Sequence, residues 1–152
     1  MDWNAYCEAT SRHDGEAVAS FFTDDGVYVD HVLGQRHQGK AAIVGFFEWG
    51  EAQASTDSRL TLLDYFETAA RYTLVWDFSG THDRSSEDPP LPATGKKFAV
   101  RGVSVGTLEG GKIKENTDYW NMVELLSQIG LLPEQLPSAP ASVKPESGKP
   151  AG

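Results

Sequence analysis

The chain has one cysteine, Cys7, among 152 residues. That excludes a disulfide within the chain and a zinc site built from several of its own thiolates. No apolar run approaches the ~18 residues needed to span a bilayer. The opening Met1-Asp2-Trp3 lacks the basic start and apolar stretch of a secretory leader. Positive charge is scarce: 13 Lys and Arg stand against 22 Asp and Glu, for a net charge of −9. A surface of that sign repels phosphate backbones and anionic lipids, so no nucleic acid and no membrane is expected as a partner. Histidine pairs at His-x-His or His-x-x-x-His spacing are missing, which argues against a metal site. There is no G-x-G-x-x-G or Walker pattern to cradle phosphates. No serine is read as sitting in a G-x-S-x-G elbow, so serine-based hydrolysis is not indicated. The expectation is a cytoplasmic protein without a cofactor, folded mainly as one domain.

What is present is a change of period along the chain. Asp2 is placed to cap a first helix with Trp3, Tyr6, Cys7 and Thr10 on one face. A break at Asp14-Gly15 precedes a short second helix whose apolar side is Ala17, Val18, Phe21 and Phe22. Asp24-Asp25-Gly26 reads as a turn, Val27 to Val32 as a strand, and Gly34 to Gly39 as a loop. A third helix opens at Gly39-Lys40 and carries Ile43, Val44, Phe46, Phe47 and Trp49 as its apolar positions. From Ser58 the pattern is strand-like, with candidates over residues 59–68, 71–82, 97–108 and 112–120. A tight hairpin is expected at Glu109-Gly110-Gly111. A polar, proline-bearing loop is read over residues 83–94, and a last helix ends at Gly130. Residues 133–152 are proline-rich, and a disordered tail is expected there after a domain over residues 1–132. Helices followed by several antiparallel strands give an α+β class. A curved sheet wrapped over N-terminal helices makes a cone-shaped barrel with a small-molecule pocket at its open end.

Three segments in order resemble the nuclear-transport-factor-2-like superfamily, in its SnoaL-like polyketide cyclase and limonene-epoxide-hydrolase-like branches. The first is Phe21-Phe22-Thr23-Asp24-Asp25-Gly26-Val27-Tyr28 followed by Gly39-Lys40-Ala41-Ala42-Ile43. The second is Gly80-Thr81-His82 followed by Pro92-Ala93-Thr94-Gly95-Lys96. The third runs from Gly110-Gly111-Lys112-Ile113 through Asp118-Tyr119-Trp120-Asn121 to Leu125-Leu126-Ser127-Gln128-Ile129-Gly130. The resemblance implies the cone fold, a homodimer through the open sheet face, and a hydrophobic small-molecule substrate.

Within 112–120, alternation puts Lys114, Asn116, Asp118 and Trp120 on one face and Ile113, Glu115, Thr117 and Tyr119 on the other. Asp118, beside aromatic neighbours, is the foremost acid/base candidate, because a desolvated carboxylate can exchange a proton near neutral pH. It matches the acid that activates water in the epoxide hydrolases. Asp30 and Asp77 join it as acids on expected inward positions of two other strands. The resemblance casts Tyr28 as a water or carbonyl ligand and Tyr6 as a carbonyl polariser. Trp76 and Trp120 are expected to line the pocket, with Arg101 and His82 as further substrate contacts. Two departures stand out. Val103 occupies the place of the isomerases' second oxyanion donor. Val75 stands where the epoxide hydrolases carry an arginine, so that Arg101 would have to supply the cation or else form a structural ion pair with Asp77. The reading is a cofactor-free acid/base enzyme of the cyclase or isomerase type. The alternatives are an epoxide hydrolase and a non-catalytic ligand-binding or dimerisation domain.

Overall fold

The computed structural model describes residues 1–50, 55–87 and 90–132. The tail expected over 133–152 lies outside the described residues. The elements run α1 (Trp3–Ser11), α2 (Gly15–Ala19), β1 (Phe22–Asp30), β2 (Gln35–Gln38), α3 (Lys40–Gly45), a π-helical turn (Phe46–Gly50), β3 (Arg59–Glu67), β4 (Arg71–Thr81), β5 (Ser86–Glu87), β6 (Pro90–Leu91), β7 (Lys97–Glu109), β8 (Lys112–Trp120) and α4 (Met122–Ile129). Six strands form one sheet in the order β2-β1-β8-β7-β4-β3. All neighbours are antiparallel except β1 and β8, which run parallel. This is the α+β architecture expected from the change of period.

Local chemistry explains the helix boundaries. Asp2 and Asp14 cap α1 and α2 by accepting from Ala5 N and Ala17 N, and Asn121 caps α4 by accepting from Glu124 N. Each side chain takes up one orphan N–H of a first turn, worth about 1 kcal/mol. Gly130 ends α4 in the left-handed region, at φ 77°. The β7–β8 hairpin turns on Gly110 and Gly111, both at positive φ.

Several local expectations give way to pairing. Phe22 opens β1 rather than closing α2, and the acids Asp24 and Asp25 sit inside that strand at a register shift. The bulge lets two charged residues stay exposed without ending the strand. The loop read over 34–39 contains strand β2, which pairs with β1 through Val27 to Asp30. Its polar composition hid it, because an edge strand needs little apolar surface. Strand β8 does not alternate strictly: Ile113 and Asn116 are both buried, beside a register shift in its pairing with β7. Trp49, assigned to the third helix, falls in the π-helical turn that follows α3.

The sheet's inner face and α1 to α3 enclose the core. Trp3, Phe22, Ile43, Leu74 and Ile113 are fully buried, each contributing about 1.5–3 kcal/mol of transfer free energy. Trp3 packs on Tyr72 with ring centroids 4.4 Å apart, which docks α1 against β4. Tyr28, Phe46 and Phe47 form a second aromatic group, with centroids 4.9–5.2 Å apart. Among the described residues, no helix is long and apolar enough to cross a membrane.

Candidate functional site

The site is assembled on adjacent strands β1, β8, β7 and β4, whose inner faces carry polar side chains in an otherwise apolar interior. Asp118 on β8 is its centre. Tyr28 on β1 donates its hydroxyl to Asp118 Oδ2 at 2.5 Å. Ser104 on β7 donates to Oδ1 at 2.6 Å, and Asn116, two residues earlier on β8, donates Nδ2 to the same oxygen at 2.7 Å. Two aromatic donors on β4 stand behind these. Tyr72 gives its hydroxyl to Asn116 Oδ1 at 2.6 Å, which fixes the amide so that its NH2 faces the carboxylate. Trp76 gives its indole N–H to Ser104 Oγ at 2.9 Å, which aims the serine proton at Asp118.

Two glycines make this reach possible. Strand β7 places Gly102, Ser104 and Gly106 on the inner face. A Cβ at Gly102 would collide with the Trp76 ring, and one at Gly106 with the Tyr72 ring and the Glu115 carbonyl. The two β4 aromatics therefore lie across bare backbone to reach their partners on β7 and β8. The residues 102–106 do spell G-x-S-x-G, which corrects the reading that no serine sits in such a pattern. The pattern here lies in the middle of a continuous strand, not at a strand-to-helix turn, and Ser104 donates to an acid instead of facing a histidine base.

Asp118 is half-buried, with three donors gathered on its carboxyl oxygens. Burial raises its pKa from 3.8 to about 6; the bonds from Ser104, Tyr28 and Asn116 pull it down, and the charge of Asp30 adds a further rise. Burial also holds the Tyr72 hydroxyl well above its usual range, so it serves as a neutral donor. Asp30 is the register partner of Asp118 on β1 and is itself buried. It accepts from Trp120 Nε1 at 3.0 Å and from Leu33 N at 2.8 Å. Two carboxylates thus lie side by side on parallel strands, one held by three side-chain donors and the other by an indole and a backbone N–H.

The other expected site residues fall elsewhere. Asp77 points away from the interior: it pairs with Arg101 through two bonds, Nε to Oδ1 at 2.9 Å and Nη2 to Oδ2 at 3.2 Å, on the exposed face. The reason is strand parity, because Trp76 takes the inward direction and its neighbour takes the outward one. Asp77 and Arg101 therefore do not join Asp30 and Asp118. Tyr6 is buried on α1, edge-on to Trp3 and Phe21. His82 is buried, with Nδ1 beside Thr94 Oγ1 at 3.2 Å and its backbone N–H on the Lys96 carbonyl. Its carbonyl accepts from Thr94 N and Gly95 N, so the Gly80-Thr81-His82 and Thr94-Gly95-Lys96 segments are two sides of one loop anchor. His31 stacks on Tyr119 at 5.0 Å on the outer face. Sequence reasoning passed over Ser104, Asn116 and Tyr72 as functional groups. The alternating small residues of Gly102-Val103-Ser104-Val105-Gly106 were the available signal. Among the described residues, no cluster of three or more His, Cys, Asp or Glu side chains is arranged to hold a metal ion.

A cavity lies away from Asp118, which is not among its lining residues. It is an open groove of about 1010 Å³ between α1, the edge strand β3 and the adjoining ends of β4 and β7, and it reaches the interior at Cys7. The Cys7 thiol is pushed up to about 12, first by burial and then by the charge of Asp118.

Comparison with known proteins agrees with this architecture. A family model described as the SnoaL-like domain matches residues 3–116. A Catenulispora acidiphila protein with a ketosteroid isomerase-like fold, solved in complex with trimethylamine, is 22% identical, with a TM-score of 0.74 over 89% of this chain and 96% of that one. A candidate polyketide cyclase from Xanthomonas campestris pv. campestris is 25% identical, with a TM-score of 0.67 over 84% and 93%. IdmH from Streptomyces antibioticus, also described as a candidate polyketide cyclase, is 20% identical, with a TM-score of 0.70 over 84% and 95%. No curated protein matches the chain. The family match covers the three donors Tyr28, Ser104 and Asn116 and ends two residues before Asp118. On the match over residues 3–116 and the shared fold, the chain belongs to the SnoaL-like domain family.

Proposed function

We propose that the protein is a cofactor-free acid/base enzyme acting on a hydrophobic small molecule, of the cyclase or isomerase type. The observation that carries this reading is the half-buried Asp118 carboxyl, ringed by three donors and still raised to about 6 by desolvation. A carboxylate with that affinity takes a proton from a carbon acid more readily than an exposed one and still returns it near neutral pH. Asp118 is the base. Tyr28, on the other carboxylate oxygen, holds the group in place and is the nearest hydroxyl to polarise a carbonyl once the proton has moved. Asp30, buried on the adjacent strand, is the second proton carrier. Trp76 and Trp120 hold their polar partners by indole N–H groups and present apolar rings to the substrate.

Epoxide hydrolysis with an acid–arginine–acid arrangement has less support, because Asp77 and Arg101 pair with each other on the exposed face. A purely non-catalytic binding domain does not account for a buried acid served by two relays of donors, which costs stability without a chemical use.

The quaternary proposal is a homodimer through the outer sheet face. Register places Phe66, Thr73, Val105 and Thr117 in one row across that face, and Val75, Val103 and Tyr119 in the next. Phe66 is 70% exposed, and Val105 and Tyr119 are close to half exposed. A patch of this composition is what a second copy covers.

The test is proton exchange at the carbon beside the carbonyl of 2-tetralone in deuterated water, followed by NMR. The native protein accelerates exchange and Asp118→Asn does not. Equal acceleration by the two proteins would falsify the assignment.

A further inference from the structure

The groove between α1 and β3 has two chemical halves. Its inner wall is Cys7, Leu60, Leu62 and Phe98, and its rim carries Arg12, Arg59 and Lys97. Its three cations outnumber the acids that line it, in a chain whose net charge is −9. Two acids also line it, and their charges are partly committed. Asp57 accepts from Ser55 Oγ, Thr81 N and Thr81 Oγ1. Glu8 is an exposed neighbour of Arg12 at 4.0 Å. Lys40, Lys114 and Arg101 are paired with Asp24, Asp25 and Asp77. Arg59, Arg84 and Lys97 are among the described cations that enter no ion pair.

A second recess of about 510 Å³ adjoins the groove, sharing Ser11, Arg12 and Thr56 with it and adding His13 and Arg84. His13 is the only non-glycine residue at positive φ among the described residues, at 55°. Its ring is held against Ser58 Oγ at 2.7 Å. A histidine in the left-handed region costs roughly 1 kcal/mol that a glycine would avoid. The surroundings thus hold that ring at the cationic end of the groove. Ser11 closes the wall by bonding Leu60 N at 2.9 Å and Leu60 O at 3.3 Å. At Leu60 the backbone of the β3 edge is in this way bonded by the protein itself.

We propose that this groove binds an elongated organic carboxylate, with its apolar body along Cys7, Leu60, Leu62 and Phe98 and its carboxylate within reach of Arg12, Arg59 and Lys97. The proposal rests on the acid/base reading in one respect: it makes the groove the seat of that reaction's substrate, whose inner end meets the buried Cys7. Flexible cations at an open rim suit a carboxylate that enters and leaves, because each exposed pair is weak and screened by salt. The apolar wall supplies affinity and the rim supplies selectivity for negative charge.

The probes are 9-anthracenecarboxylate and its neutral counterpart 9-anthracenemethanol, titrated against the full chain by fluorescence. At low ionic strength the carboxylate binds about tenfold more tightly than the alcohol, and the preference collapses in half-molar salt. It also collapses in an Arg59→Gln/Lys97→Gln double variant, whose changes are on the rim and leave the core intact, and it persists in the control Arg36→Gln. Equal affinity for the two probes, or a preference unchanged in the double variant, overturns the proposal. The titration reads binding only. Loss of the charge preference with tetralone exchange intact refutes the groove and leaves the acid/base reading standing. A retained preference in a protein inactive toward tetralone supports the groove and counts against the reading of Asp118.

Discussion

Tyr28 on β1 donates its hydroxyl to Asp118 on β8 at 2.5 Å, across the one parallel pair of the sheet. The parallel pairing sets Asp30 beside Asp118 and Tyr28 beside Asn116, so both acids and both donors share a face. That juxtaposition makes Asp118 a carboxylate that is desolvated, solvated again by fixed donors, and next to a second acid.

The rate of proton exchange should rise with pH along a single sigmoid with its midpoint near 6, the value to which burial raises Asp118. The sign follows from its role as a base, since only the ionised form accepts a proton. Tyr28→Phe removes a donor that favours the ionised form, so its midpoint moves upward. A profile centred near 4, or one unmoved by Tyr28→Phe, would sink the assignment.

Stability carries the opposite signature. The folded pKa of Asp118, about 6, lies above the roughly 3.9 of an unfolded aspartate, so the native state holds the proton more tightly. Its contribution is fully favourable below pH ~4 and is lost as pH rises through 6, a swing of up to about 3 kcal/mol. Asp118→Asn keeps the shape without the charge. In urea unfolding it should be more stable than the native protein at pH ~8, by roughly 1–3 kcal/mol, and no more stable at pH ~4.

Tyr72 and Trp76 act on Asp118 through Asn116 and Ser104, so they are positioning residues. Tyr72→Phe leaves the Asn116 carbonyl without its donor, and Trp76→Phe does the same to the Ser104 oxygen. Each should cost about 1–3 kcal/mol of stability, as for a buried polar atom left unsatisfied. The readout a structural role alone would not give is the pH midpoint of exchange, which should shift upward in both variants.

Gly102→Ala and Gly106→Ala should be more damaging than a methyl normally is. The added Cβ meets the Trp76 ring in one case and the Tyr72 ring with the Glu115 carbonyl in the other. Overpacking of this kind costs about 1–3 kcal/mol. Thermal melting would register it, and Gly102→Ala/Trp76→Leu should recover part of the lost stability while losing exchange activity.

Phe66→Lys and Val105→Lys place charges on the outer face, at positions 70% and 46% exposed. Sedimentation of the native protein should show a dimer, and of the double variant a monomer with unchanged circular dichroism. A native monomer would refute the outer-face interface. By contrast, Asp77→Asn and Arg101→Ala remove only an exposed ion pair, and exchange should stay within about twofold of native.

The sequence by itself determined the period changes, the helix cap at Asp2, the glycine hairpin at Gly110-Gly111 and the α+β class, with five of the six strands of the main sheet. These are local or periodic properties that the chain expresses residue by residue. It also singled out Asp118, Asp30 and Asp77 by strand position, Tyr28 by the family resemblance, and Trp76 and Trp120 as pocket aromatics. Only the tertiary structure decided that Asp77 is turned outward onto Arg101, since inward and outward are defined by which face the helices cover. Only it decided that Asp24 and Asp25 sit in a bulged strand and that the polar segment 35–38 is an edge strand, since both depend on a partner far along the chain. The relay from Tyr72 and Trp76 through Asn116 and Ser104 to Asp118 was also beyond the sequence. It depends on three strands in register and on two glycines bare enough for aromatic rings to cross, and side-chain reach between strands is a property of the packed sheet.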